Sequence, residues 1–241
     1  MTDKRLYSSP LRKKAAAETR ERILREAVEL FAERGYGRVT VADIAQAAGV
    51  ASKTVFASVG SKSSALDRIV DQAVADSGYE ATVARILAAT TPEAVLRELA
   101  HGTRTGNEGQ FKVLEAIRGA LPVHEDSEAL WARATAAYRR ALDEAARHLR
   151  ELSPAVGDTS RVRDTPGVQD TPPAQDTPRV RDTPREEIAD MLWFWFGPTS
   201  WRTLVTESGW SWSRAEEFLY GTAVTTLGVV PAEDRRRAEG R

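Results

Sequence analysis

The stretch TVADIAQAAGVASKTVFASV, residues 40–59, decides the fold. Thr40 stands three residues before Asp43, the spacing of a capping box, and Val39 precedes it as an apolar staple. Ile44, Ala45 and Ala48 give the first short helix one apolar side. Gly49 then supplies the backbone freedom a tight turn needs, and Val50 follows as an apolar plug. A second short helix runs from about Ser52 to Val59. Two short helices joined at Ala48-Gly49-Val50 make a helix-turn-helix, and such a motif lays its second helix in the major groove of DNA.

Working outward, Ile23, Leu24, Ala27, Val28, Leu30 and Phe31 recur at helical spacing, which predicts a helix from about residue 16. Glu33-Arg34-Gly35-Tyr36 ends it, with the glycine in the left-handed cap position. After the motif, Gly60-Ser61 caps a longer helix, about 62–80, bearing Leu66, Ile69, Val70, Ala73 and Val74. Residues 81–152 predict three more helices: Pro92 opens one, Gly106-Asn107 separates it from the next, and Pro122 precedes the third. In the third, Trp131, Ala134, Tyr138, Leu142, Ala145 and Leu149 step by three or four. Asn107, Glu108 and Gln110 are expected as capping residues and His101 and His148 as surface residues.

Residues 158–184 then fall into six-residue repeats, DTS-RVRDTP-GVQDTP-PAQDTP-RVRDTP, with Asp158, Asp164, Asp170, Asp176 and Asp182 in register. A β-solenoid is the first reading of such a period. Proline in every Asp-Thr-Pro unit removes the donors a sheet ladder needs, and each threonine before proline is pushed to extended geometry. The segment 153–184 is therefore expected to be a disordered loop. Residues 185–230 are helical again and rich in aromatics, and 231–241 reads as a solvated tail. No strand or hairpin is expected: the chain is all-α. Its expected divisions are a flexible basic arm (1–15), a helix-turn-helix domain (16–62) and a second helical domain (63–230).

Composition narrows the function. Of 241 residues none is cysteine, so disulfides, zinc–thiolate sites and thiol nucleophiles are excluded. The three histidines, His101, His124 and His148, lie too far apart in sequence for a helical metal pair. The longest apolar run, Met191–Phe196, falls well short of the roughly 20 residues a membrane span requires. With a basic start that leads into no apolar stretch, this predicts a cytoplasmic protein without a membrane association. Neither a cofactor nor a metal site is expected. No nucleophile–base pair or phosphate loop is present, so an enzyme is not expected. The net charge of −1 hides an asymmetry. Residues 1–62 hold 12 basic and 7 acidic side chains, the remainder 22 and 28, so the basic end suits a polyanion.

The segment TRERILREAVELFAERGYGRVTVADIAQAAGVASKTVFASVGSKSSAL, residues 19–66, resembles the N-terminal DNA-binding domain of the TetR family of transcriptional regulators. Its run of helix, ERGY, T-x-x-x-IA-x-x-AGV, a short T-V-F helix and SK stands in the family's order without gaps. LWFWFGPTSWRTLVTESGWSWSRAEEFL, residues 192–219, resembles more loosely the ligand-binding and dimerisation half of one subgroup.

The resemblance implies roles for particular residues. Thr40 caps the first motif helix and touches a phosphate. Ser52, Lys53 and Thr54 face bases and backbone, with Lys53 placed for a guanine or a phosphate. Lys62 clamps a phosphate. The chain departs from the family at Ala57 and Ser58, where aromatic or histidine residues are usual. Ala57 offers a methyl contact, for instance to thymine, and Ser58 reaches a phosphate with less area than a tyrosine. Arg12, Lys13 and Lys14 are candidates to compensate as a basic arm along phosphates or in the minor groove. For the second half, Phe111, Leu114, Trp131, Tyr138, Trp193 and Trp201 are the candidate ligand-binding residues, although the aromatics near 193–201 also suit a core or a dimer interface.

The implied function is a homodimeric regulator on a palindromic operator in double-stranded DNA, a repressor released by a small apolar or amphipathic effector. The helix near 62–80 is the candidate lever. The alternative is a DNA-binding regulator without a small-molecule switch, controlled by a protein partner.

Overall fold

Alanine, leucine, arginine and glutamate dominate residues 10–34, all strong helix formers, and they build one 25-residue helix, α1 (Pro10–Arg34). A computed structural model describes residues 10–153 and 179–229. The helix starts six residues earlier than the apolar spacing predicts. Proline is well tolerated in a first helical turn, so residues 10–15 of the expected arm are helical. Residues 1–9, 154–178 and 230–241, with most of the expected repeat loop and tail, lie outside the described residues. Among the described residues the chain is all-helical, and no helix is long and apolar enough to cross a membrane.

Gly35, at φ 79, releases the chain from α1 into a short 3-10 turn, Tyr36–Arg38. Next come α2 (Val41–Ala47), α3 (Ser52–Val59) and α4 (Lys62–Ala75). Gly49 takes the turn between α2 and α3 at φ 65. The rest of the chain holds α5 (Tyr79–Ala88), α6 (Pro92–Gly109), α7 (Phe111–Ala120), α8 (Ser127–Glu151), α9 (Arg185–Phe196), α10 (Pro198–Arg202), a π-helical turn (Thr203–Glu207) and α11 (Trp212–Thr226).

The chain divides into two compact units, and the boundary differs from the expected one at residue 62. The first unit takes Met1–Ser77 together with Gln110–Ala136. Its core joins Ile23, Ala27 and Phe31 of α1, Ile44 of α2, Val55 and Val59 of α3, and Leu66 and Val70 of α4 with Ile117 of α7 and Leu130 of α8. Each fully buried side chain of that size contributes roughly 1.5–3 kcal/mol through the area it removes from water. The helix-turn-helix is thus completed by residues some 60 positions downstream.

The second unit takes Gly78–Gly109 and Ala137–Arg241. Its core gathers Ile86, Leu96, Leu99, Leu142, Leu149, Ile188, Leu192, Phe196, Trp201 and Leu219. α5 and α6 approach closely at Gly102, where an added Cβ would lie 2.2 Å from Thr82 Cγ2. α6 also runs through Gly106 and Asn107, expected as a break. The buried face Val95, Leu96, Leu99, Ala100, Thr103 and Asn107 outweighs the modest helix penalties of Gly102 and Gly106.

The last six-residue repeat, 179–184, corrects the expectation of a disordered loop up to residue 184. Val180 is buried and donates its N–H to Leu227 O at 3.2 Å. Thr183, also buried, bonds from Oγ1 to Arg179 O at 2.9 Å and closes a turn ahead of α9. Here the valine finds an apolar place and the Asp-Thr-Pro unit becomes a helix entry.

Candidate functional site

Thr40 and Asp43 close both halves of the capping box. Asp43 N–H donates to Thr40 Oγ1 at 3.2 Å, while Asp43 Oδ2 accepts from Thr40 N–H at 2.8 Å and from its hydroxyl at 2.6 Å. The hydroxyl and then the backbone N–H hold the Asp43 carboxyl below the usual carboxylate range. Both donors of Thr40 are therefore engaged inside the motif.

α3 is anchored from below by Val55 and Val59, each 1% exposed. On its outer side Ser52, Lys53 and Ala57 are exposed, and Thr54 and Ser58 are half-buried. Lys53 has no ion pair or hydrogen bond among the described residues. Two arginines of α1 fix the motif from behind. Arg22 Nε donates to Ala48 O at 3.1 Å, and Arg20 Nε donates to Ser58 O at 3.2 Å. They satisfy carbonyls that helix ends leave open.

Lys62 starts α4, whose N-cap Ser61 accepts from Ser64 N–H at 3.1 Å. Its Nζ donates to Tyr36 O at 3.0 Å and lies 4.2 Å from the Tyr36 ring centroid. Burial pushes its ammonium below the ordinary lysine value, and burial raises the Tyr36 phenol. His124 completes the group: its Nε2 pairs with Ser63 Oγ at 2.9 Å, and its Nδ1 accepts from Asp126 N–H at 3.2 Å. An accepting Nδ1 assigns the proton to Nε2 in the neutral ring.

The first unit thus brings together Thr40, Ser52, Lys53, Thr54, Ala57, Ser58 and Lys62 around one motif. Three contributors were not singled out from sequence: Arg20, Arg22 and Phe56. The spacing of Phe56 from Ser52 and Lys53, four and three residues, already placed it on their side of the helix, and it is 56% exposed.

The candidate ligand residues separate. Phe111 and Leu114 of α7 and Trp131 of α8 fall in the first unit, where Trp131 packs on the core around Leu130. Tyr138, Trp193 and Trp201 fall in the second and are linked. The Tyr138 and Trp193 rings meet edge-on at 5.8 Å. The carbonyl of Phe196 accepts from both the Tyr138 hydroxyl and Trp201 Nε1, the latter at 3.0 Å. Asn107, expected as a cap, is 2% exposed and belongs to this network. Its Nδ2 donates to Thr103 O at 2.8 Å and to Tyr138 Oη at 2.9 Å. Its Oδ1 is buried without a hydrogen-bond partner among the described residues. Gln110, the other expected cap, instead donates from Nε2 to Ala73 O at 2.7 Å. His148 is no free surface residue: its Nε2 lies 2.8 Å from Ala89 O. Among the described residues no group of three or more acidic or histidine side chains is placed to hold a metal ion.

The family model "Bacterial regulatory proteins, tetR family" matches residues 23–69. PfmR, a TetR family transcriptional regulator from Thermus thermophilus, shares the fold at 20% identity, with 88% of this chain and 97% of that chain covered and a TM-score of 0.55. A regulator from Saccharomonospora viridis, solved in complex with choline, shares it at 20% identity, 84% and 94% coverage and a TM-score of 0.55. NalD, the secondary repressor of the MexAB-OprM multidrug efflux pump in Pseudomonas aeruginosa, does so at 19% identity, 88% and 97% coverage and a TM-score of 0.53. No curated protein matches the chain. Residues 23–69 thus match the N-terminal domain of the tetR family of bacterial regulatory proteins, and the chain as a whole shares the two-part helical fold of solved TetR family regulators.

Proposed function

We propose that this chain is a cytoplasmic, homodimeric transcriptional repressor that binds a palindromic operator through α3 and leaves it when a small apolar or amphipathic effector binds. The observation that carries the reading is the outer side of α3. Ser52, Lys53 and Ala57 stand free while Val55, Val59, Arg20 and Arg22 fix the helix from behind. Lys53 supplies a guanine or phosphate contact, with Ser52, Thr54 and Ser58 beside it. Lys62 reaches a phosphate while it holds Tyr36 O, since an ammonium has three donors.

Two copies would present their reading helices about one helical turn apart, ~34–36 Å, matching a palindrome. Phe194, 73% exposed on α9, and Phe218, 50% exposed on α11, supply apolar area for that pairing. In the second unit the unpartnered Asn107 Oδ1 supports an effector that brings a hydrogen-bond donor. The choline complex and the efflux-pump repressor among the structural neighbours accord with ligand control and repression.

An effector shifts the operator equilibrium only by its differential affinity for the two states. A coupling of about 1–3 kcal/mol already changes operator affinity roughly 5–150-fold. The expected lever at 62–80 ends earlier, at Ala75. Gln110 Nε2 on Ala73 O, and Arg133 on Asp67 at 2.6 Å and on Asp71 at 3.2 Å, tie it to α7 and α8. The lever is therefore α4 together with these helices.

Selection of bound sequences from random duplex DNA tests the reading. A two-fold symmetric consensus is the expected result. Binding without sequence preference at low salt, or a stable monomer that ignores DNA, would overturn it.

A further inference from the structure

With successive residues 100° apart around a helix, Ser52, Lys53, Phe56 and Ala57 occupy one continuous exposed arc of α3, about 140° wide, that borders the buried side of Val55 and Val59. Within this arc the only charged group is Lys53 and the only other polar side chain is the Ser52 hydroxyl. The rest is apolar. Phe56 is 56% exposed, has neither donor nor acceptor, and adjoins exposed Ala57. Nothing in the first unit's core needs Phe56, because Val55 and Val59 already fill the underside of α3.

The surroundings select the occupant of this apolar strip. Residues 44–66 contain no acidic side chain, and Lys53 and Lys62 stand within them. Such a surface complements a polyanion and repels few of its charges. Among the groups that base pairs display in the major groove, the apolar one is the C5-methyl of thymine, and phenylalanine and alanine are side chains that contact it.

We propose that Phe56, with Ala57 beside it, is a specificity-determining residue that reads thymine methyl groups in the operator half-site. The proposal rests on the reading of α3 as the DNA-contacting helix. It adds that sequence choice beneath the centre of α3 is made by apolar contact, with Lys53 the sole side chain of the arc for a charge-assisted base contact.

The test uses the full-length protein and the duplex recovered by selection. Each thymine of one half-site is replaced in turn by deoxyuridine, which removes only the methyl group. For the wild type, one or two positions are expected to lose roughly fourfold in affinity, the worth of one buried methyl group. For Phe56→Ala those positions lose their effect, while the dependence of affinity on salt is unchanged because no phosphate contact is lost. Phe56→Leu, still apolar, retains part of the methyl effect and shows that the fold is intact. Equal affinities of thymine and deoxyuridine duplexes for the wild type overturn the proposal and leave DNA reading standing. The same methyl effect in Phe56→Ala also overturns it. Failure to bind any duplex overturns both.

Discussion

Arg22 reaches from α1 to the end of α2, its Nε–H donating to the carbonyl of Ala48 across 3.1 Å. Arg20, two residues earlier, does the same for Ser58 in the last turn of α3 at 3.2 Å. One helix thereby sets both helices of the motif. Arg22→Met keeps most of the apolar stem and loses the bond. A hydrogen bond from a charged donor is worth about 1.5–3 kcal/mol, and the half-buried setting of Arg22 puts the expected loss near the lower end. Urea unfolding would show it as a lower midpoint with an unchanged slope, and operator affinity should fall beyond what nonspecific DNA affinity does.

Asp43 makes the motif acid-sensitive. Its carboxyl titrates below the ordinary value in the folded chain, chiefly through the Thr40 hydroxyl bond. The unfolded chain therefore binds more protons near its own value of about 4. The stabilisation is complete above that pH and disappears as pH falls through the lower folded value. Thr40→Val removes the hydroxyl bond. Its stability deficit should be full at neutral pH and shrink in strongly acidic solution, as followed by helical circular dichroism in urea at several pH values.

Tyr138→Phe removes the hydroxyl that accepts from Asn107 and donates to Phe196 O. Phe196 O retains Trp201 Nε1, and Asn107 Nδ2 retains Thr103 O, so the expected loss is about 1–2 kcal/mol. Burial raises the Tyr138 phenol far above its ordinary value. The wild type should lose that margin as pH rises past about 10, where an unfolded tyrosine ionises, and Tyr138→Phe should lose less. Unfolding midpoints at pH 7 and above about pH 10 decide the matter.

Gly102→Ala places a methyl group 2.2 Å from Thr82 Cγ2. Overpacking of this kind costs about 1–3 kcal/mol. Thr82→Ala, combined with it, should restore much of the loss by making room. A thermal-unfolding series of the two single variants and the double variant would show this non-additivity.

What the sequence made legible was local. The Thr40–Asp43 box, the turn at Gly49, the cap at Ser61 and the bounds of α3 each follow from residues within a few positions of one another. Partnership between cores was not legible. α7 and the start of α8 carry the same amphipathic spacing as their neighbours, and periodicity does not say that Ile117 and Leu130 pack with Phe31 rather than with Leu99. The early start of α1 was signalled by Pro10, although no apolar residue repeats there. Phe56 shares an arc with Lys53 by spacing alone, whereas the family resemblance points to Ala57 and Ser58. The orphan oxygen of Asn107 required the whole second unit to be assembled around it.

The split composition of the first unit has a consequence for biosynthesis. When Ser77 has been polymerised, the entire turn motif exists as covalent chain, yet Ile117 and Leu130 have not been made. The motif's apolar lining is complete only once α8 has begun to be made, after the whole of α6. A truncated chain ending near residue 77 would leave an apolar flank uncovered where Ile117 and Leu130 pack in the whole protein.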